Sequence, residues 1–167
     1  MGALPVIADK PKTQTEQLLD AFISRLQGAF DLEMAVELFP ENPAGYRLNH
    51  TIGAILVAYG KSTFGASEAT DAVFQARNMS FQLTLVFRQL NGTDGATSYL
   101  DRARECLTGW KPPHCDMACR PTAEYFIGQA QGVWQYGLSI ATRATQLQTM
   151  GPEDGPLFKE ARFEEYP

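Results

Sequence analysis

His114, Cys115, Asp116 and Cys119 lie within one short stretch, and these residue types bind zinc or build a nucleophile. A thiolate at Cys115 or Cys119 would need His114 to take its proton and Asp116 to orient the imidazole. Adjacent residues of a loop rarely present their side chains to one another, and no helix N-terminus is expected nearby to depress a thiol pKa. A structural zinc site needs four ligands in close-set pairs, and that paired spacing is absent. The stretch therefore reads as a loop with incidental thiols, and a zinc-binding module or thiol-dependent enzyme is a remote alternative. The other histidine, His50, belongs to no Ser/His/Asp or Cys/His pattern. GxGxxG, GxxxxGK[ST] and HExxH are all missing, so the dinucleotide, P-loop and zincin routes lack support. Trp110, Trp134 and most phenylalanines fall at core spacing rather than forming a ligand box. The expectation is a non-enzymatic protein with no catalytic, cofactor-binding or metal-binding residue.

The whole chain agrees with that. Its 19 acidic and 14 basic residues give a net charge of −5, which disfavours a surface that holds nucleic acid by counterion release. An acidic surface suits a conduit past which DNA moves better than a clamp. Three cysteines cannot all pair within one chain, as is common in reduced intracellular proteins. The longest apolar run, 54–59, is far short of the roughly 20 residues of a membrane span. Residues 1–12 lack the basic and apolar regions of a secretory signal, so folding in a cytoplasm is expected. A chain of 167 residues is the size of one domain.

The elements follow from periodicity. Thr15 offers an N-cap to a helix carrying Leu18, Leu19, Phe22, Ile23 and Leu26 on one face, with Gly28 closing it. Residues 33–39 read as a strand ended by Pro40. Residues 41–51 form a loop. The apolar run 54–59 reads as a central strand covered on both faces. Phe81, Leu83, Leu85 and Phe87 alternate with polar partners as in a strand with one buried face. Ala96, Leu100, Ala103 and Leu107 share a face of a second helix ended by Gly109. Residues 110–122, with three prolines, predict an irregular connection. A strand over 123–128, a turn at 129–132 and the alternation from Trp134 to Thr142 complete a long hairpin. The order is α, β, β, β, α, β, β. The fold class is α+β: a mostly antiparallel sheet of about five strands with two helices on one face. The chain divides into an N-terminal arm (1–14), a single domain (15–145) and a C-terminal arm (146–167), the arms being flexible.

Candidate interface residues fall in three places. The segment 61–71 is small and polar apart from Phe64, so it predicts an exposed loop of functional length, with Phe64, Ser67, Glu68 and Asp71 as contacts. Tyr46 and Arg47 belong to the 41–51 loop. Phe158, Phe163 and Tyr166 punctuate an acidic tail broken by Gly-Pro pairs, which reads as disorder or as an arm docking on a neighbour.

The segment from Val36 to Arg88, VELFPENPAGYRLNHTIGAILVAYGKSTFGASEATDAVFQARNMSFQLTLVFR, resembles the tail terminator proteins of Mu-like contractile-tailed bacteriophages, encoded just ahead of the sheath gene. The later GWKPP and GVWQYGLSIAT stretches resemble the same family in the same order, and the likeness spans residues 15–145. The family is related in fold to the smaller terminator of lambda-like phages. The resemblance implies a homohexameric ring at the head-proximal end of the tail, assembled in the host cytoplasm. Such a ring stops tube and sheath polymerisation. Its partners are then itself, the tail tube protein, the tail sheath protein and a neck or head–tail connector protein, with no membrane and no specific nucleic-acid binding although DNA passes through. It brings no catalytic residues. A neck or head-completion connector is the alternative role within a virion.

Overall fold

The computed structural model describes Leu4 and residues 9–151. The helix α1 spans Gln14–Phe30 and α2 spans Ala96–Leu107. The strands are β1 (Ala35–Leu38), β2 (Gly53–Phe64), β3 (Phe74–Phe87), β4 (Cys115–Ala130) and β5 (Val133–Leu147). They form one sheet in the order β1-β2-β3-β5-β4. β1 lies parallel to β2, and every other neighbouring pair is antiparallel. The α+β class, the element order and the five-stranded sheet are as the sequence predicts.

α1 is capped by Thr13 rather than Thr15. Thr13 Oγ1 accepts from the Glu16 amide, and Glu16 Oε2 accepts from the Thr13 amide at 2.7 Å, a reciprocal capping box that satisfies two orphan donors. Gly28 does not close the helix. It is exposed within it, and the helix runs on two residues to bury Phe30 before Asp31 turns the chain at φ 49°. Leu18, Phe22, Leu26 and Phe30 recur along one face and are all buried. They meet Tyr99, Ala103 and Leu107 of α2 and the odd-numbered residues Phe81, Leu83, Leu85 and Phe87 of β3 in one core. Phe22 stacks on Phe81 with ring centroids 4.5 Å apart and meets Trp110 edge-on at 5.1 Å. Each such pair adds about 0.5–1.5 kcal/mol beyond the area it buries.

β3, not β2, is the middle strand. β2 is nevertheless covered on both sides over its first five residues: Ile55 and Val57 face the helices, while Ala54 and Leu56 are buried under Tyr46 and Leu48. The 39–48 segment folds back over the sheet's other face, so a strand next to the edge carries the apolar run of a central one.

Two expected loops are strand. β2 continues through Lys61 to Phe64, and the connecting loop is 65–73 instead of 61–71. This outer part of the β2–β3 hairpin is polar because it extends beyond the core, not because it leaves the sheet. Its backbone stays paired, Phe64 opposite Arg77. The 110–122 stretch is likewise not irregular throughout, for β4 begins at Cys115 and runs through Pro121 to Ala130. Proline is tolerated because β4 is an edge strand, where the missing N–H faces no partner, and four register irregularities absorb the misfit. The β4–β5 turn is two residues, Gln131 and Gly132, both at positive φ (53° and 76°) as a tight hairpin requires.

Candidate functional site

The sheet face away from the helices is polar over most of its width. Tyr125 of β4 lies across Gly137 of β5 so closely that a Cβ there would come within 2.4 Å of the ring. Its hydroxyl accepts a hydrogen bond from Gln82 Nε2 at 2.7 Å, and Gln82 Oε1 in turn accepts from Ser139 at 2.7 Å. At the end of this face nearest the β4–β5 turn, the 39–48 segment leaves a groove of about 400 Å³. Leu56, Thr84 and Val86 line it from the sheet. Phe39, Pro40, Tyr46 and Leu48 line it from the segment, and Val133 and Gln135 from β5.

Arg88 holds the segment in place, its Nε donating to His50 O and its Nη2 to Leu48 O, both at 2.9 Å. His50 is part of the same brace: Nδ1 accepts from the Ile52 amide at 3.1 Å and Nε2 lies 3.1 Å from Leu32 O. These contacts fit the tautomer with its proton on Nε2 and assign the ring a structural task. Burial, reinforced by the neighbouring Glu37 carboxylate, pushes the Tyr46 phenol above its ordinary pKa. Arg47 also lines the groove, and its guanidinium donates to Tyr46 O at 2.9 Å.

Phe64 lies at the opposite end of the sheet. It is 53% exposed, and it ends a strand instead of standing in a loop. Ser67 is inside the 65–73 loop, where its Oγ accepts from the Phe74 amide at 3.1 Å, and the Glu68 amide donates to Phe74 O at 2.7 Å. Both residues therefore shape the loop, and Asp71 is exposed beside them. From Phe64's partner Arg77 to Thr84 in the groove is seven residues of β3, about 23 Å of strand. The structure thus separates Tyr46 and Arg47 from Phe64, Ser67, Glu68 and Asp71. Phe158, Phe163 and Tyr166 lie outside the described residues.

A third surface was not read from the sequence. Tyr125, Phe126 and Ile127 are all exposed on the free edge strand β4. Three consecutive bulky apolar residues necessarily put at least one on each face of a strand, and that run was the available signal.

The structure does not bring Cys115 and Cys119 together with His114 and Asp116 as an activated thiol would require. Cys115 and Cys119 are buried on the helix side, and burial first, then the neighbouring Cys115 sulfur, pushes the Cys119 thiol up to about 12. His114 Nε2 contacts Gln17 Oε1 at 2.6 Å, and Asp116 is engaged by Arg143 and Thr145. The imidazole and carboxylate that would activate a cysteine are thus committed elsewhere. Among the described residues, no group of three His, Cys, Asp or Glu side chains is placed to hold a metal ion. No helix among them is long and apolar enough to cross a membrane.

Among curated proteins, none matches this chain. A search of solved structures finds the same fold in a chain of the virion of a native gene transfer agent particle, with a TM-score of 0.54 and 12% sequence identity. The likeness covers 79% of this chain and 97% of that one, so nearly the whole of the other protein is the body described here. The sequence profile of the Gp37 protein family matches residues 22–165, from the core face of α1 past the end of β5, and the chain belongs to that family.

Proposed function

We propose that this chain is a structural protein of a phage-type virion, and within it the tail terminator of a contractile tail. The observation that carries the reading is the fold shared with a gene transfer agent virion protein over 97% of that protein's length. Membership of the Gp37 family and the resemblance of residues 15–145 to Mu-like terminators support it. In this reading six copies close a ring at the head-proximal end of the tail, stop the tube and sheath, and seat the neck. Closure by rotation needs a heterologous interface, in which two different surfaces of each copy meet. Buried thiols and an engaged His114 fit a protein that performs no chemistry.

The test is electron microscopy of the particle that contains this protein. A sixfold ring at the junction of tail and neck is the expected density. One or two copies there, or a ring on the capsid side of the junction, would replace the terminator with a neck or head-completion connector. The second test is genetic: without this gene, tails should assemble with uncontrolled length and fail to join capsids.

A further inference from the structure

The groove under the 39–48 segment combines apolar walls with cations that have no acidic partner among the described residues. Phe39, Tyr46, Leu56 and Val86 supply the apolar surface. Arg47 and Arg88 line the same groove, and among the described residues neither makes an ion pair with a carboxylate. Arg88 spends two of its donors on backbone carbonyls, and a guanidinium has five. The chain itself contains a segment of matching chemistry. Residues 152–167 carry five carboxylates against two basic side chains, and residues 163–166 read Phe-Glu-Glu-Tyr.

We propose that the C-terminal segment of the same chain docks in this groove, with Phe163 and Tyr166 on its apolar walls and Glu164 and Glu165 toward Arg47 and Arg88. Reach decides which part of the segment arrives. β5 ends at Leu147, opposite Phe74, whereas the groove lies beside Gln135, opposite Val86. Those twelve residues of strand are about 40 Å at 3.3 Å per residue. A chain returning from Leu147 covers about 36–40 Å by Phe158 even when fully extended, so the Leu157–Phe158 pair arrives with no slack. It covers more than 50 Å by Phe163, enough to enter with some slack. The groove has the sheet on one side and the 39–48 segment on the other, so an extended peptide lying between them puts Phe163 against one wall and Tyr166, three residues on, against the opposite one. Glu37 stands beside Tyr46, and the segment brings Arg162 as well as its acids. The inference does not depend on the terminator reading, since it concerns the free chain.

Limited trypsin digestion of the full-length protein tests it, read as the rate of cleavage after Arg162. A docked segment is cut only from its open state, so Phe163→Ser/Tyr166→Ser should raise that rate by about tenfold or more. Arg47→Glu should do the same, and adding Glu164→Arg/Glu165→Arg to it should return the groove methyl signals to their wild-type positions, a readout that the two added trypsin sites do not affect. Arg47 is exposed, so its change leaves the body folded, which the dispersion of amide signals in an NMR spectrum checks. Methyl signals of Leu56, Val86 and Val133 should shift in the segment double variant. Three results would overturn the proposal: wild-type cleavage as fast as the double variant's, shifts confined to 125–127 on β4, or protection that vanishes on about hundredfold dilution. The last would mean that the segment occupies another copy.

Discussion

Beneath the helices, Phe22, Phe81, Phe87 and Leu107 are wholly buried and pack with the other buried residues into a single cluster. On the opposite face, the apolar cluster shrinks to Ala54, Leu56 and Val86 with a few half-buried neighbours, and the rest is Gln82, Thr84, Gln135 and Ser139. One sheet therefore carries two surfaces with different tasks. The helix side holds the chain together. The groove on the other side, the β4 edge and the outer end of the β2–β3 hairpin, where Phe64 lies beyond the core beside Arg77, carry apolar groups that do little for the isolated fold. Substitutions placed in pairs across this divide should therefore separate folding from assembly.

The largest effect is expected on the helix side. Phe81 is fully buried at the centre of the sheet, stacked on Phe22 and touching Tyr59 at a ring separation of 5.8 Å. Phe81→Ala should lower unfolding free energy by about 3–5 kcal/mol in a denaturant titration, because neither the helices nor the paired strands can close around the void. A loss below about 1 kcal/mol would mean the two faces are not as unequal as their packing indicates.

Next in size is an alkaline effect confined to the same side. The Cys119 thiol is held neutral by burial, with its folded pKa pushed up to about 12. The unfolded chain ionises it near the ordinary value of about 8.5. The folded state thus binds the proton more tightly, so this contribution is fully present below the unfolded pKa and is lost as pH rises toward 12. Stability should fall over that window, and Cys119→Ala should flatten the fall. A thiol reagent at neutral pH should modify Cys119 only as fast as the protein opens.

The sequence revealed the helix side almost completely, because burial writes itself into periodicity. Leu18, Phe22 and Leu26 mark α1, and the alternation from Phe81 to Phe87 marks β3. It failed where strands leave the core. At 61–63 the side chains are polar on both faces, and pairing is maintained by backbone hydrogen bonds that no side-chain pattern reports. At 115–121 Pro121 masked a strand, since its tolerance depends on β4 being an edge, which is a fact of topology. The sequence marks Tyr46 and Arg47 as candidate contacts, but the groove they line is made by a segment folding back across the sheet through Arg88. Non-local contacts of that kind have no period to read.

On the open face a smaller loss is expected. Gly137→Ala places a Cβ into the ring of Tyr125, which is partly exposed and free to swing outward. The substitution then breaks the Gln82 hydrogen bond without opening the core, so about 1 kcal/mol should be lost. Tyr125→Phe keeps the ring over Gly137 and removes only the hydroxyl, so it should cost less than Gly137→Ala. The reverse order would show that the hydroxyl network, not the ring, organises this face.

The smallest effect on folding belongs to Phe64, and it makes the sharpest contrast with Phe81 because residue type, truncation and sheet are the same. Phe64 is 53% exposed at the outer end of β2, where its backbone pairs with Arg77. Arg77 does not depend on it, for its guanidinium is fixed by Ser62 Oγ and Thr15 Oγ1, both at 2.9 Å. Phe64→Ala should therefore change unfolding free energy by no more than about 0.5 kcal/mol. If the hairpin end meets the last ring of the tail tube, as the terminator reading has it, the same truncation removes an aromatic anchor. Such an anchor is commonly worth about 2 kcal/mol or more at an interface. The purified variant should then melt with the wild type, while particles carrying it show tails of uncontrolled length or tails without capsids. Normal particle yield from a normally folded Phe64→Ala would remove the hairpin end from the assembly interface and leave the groove and the β4 edge as the surfaces to test.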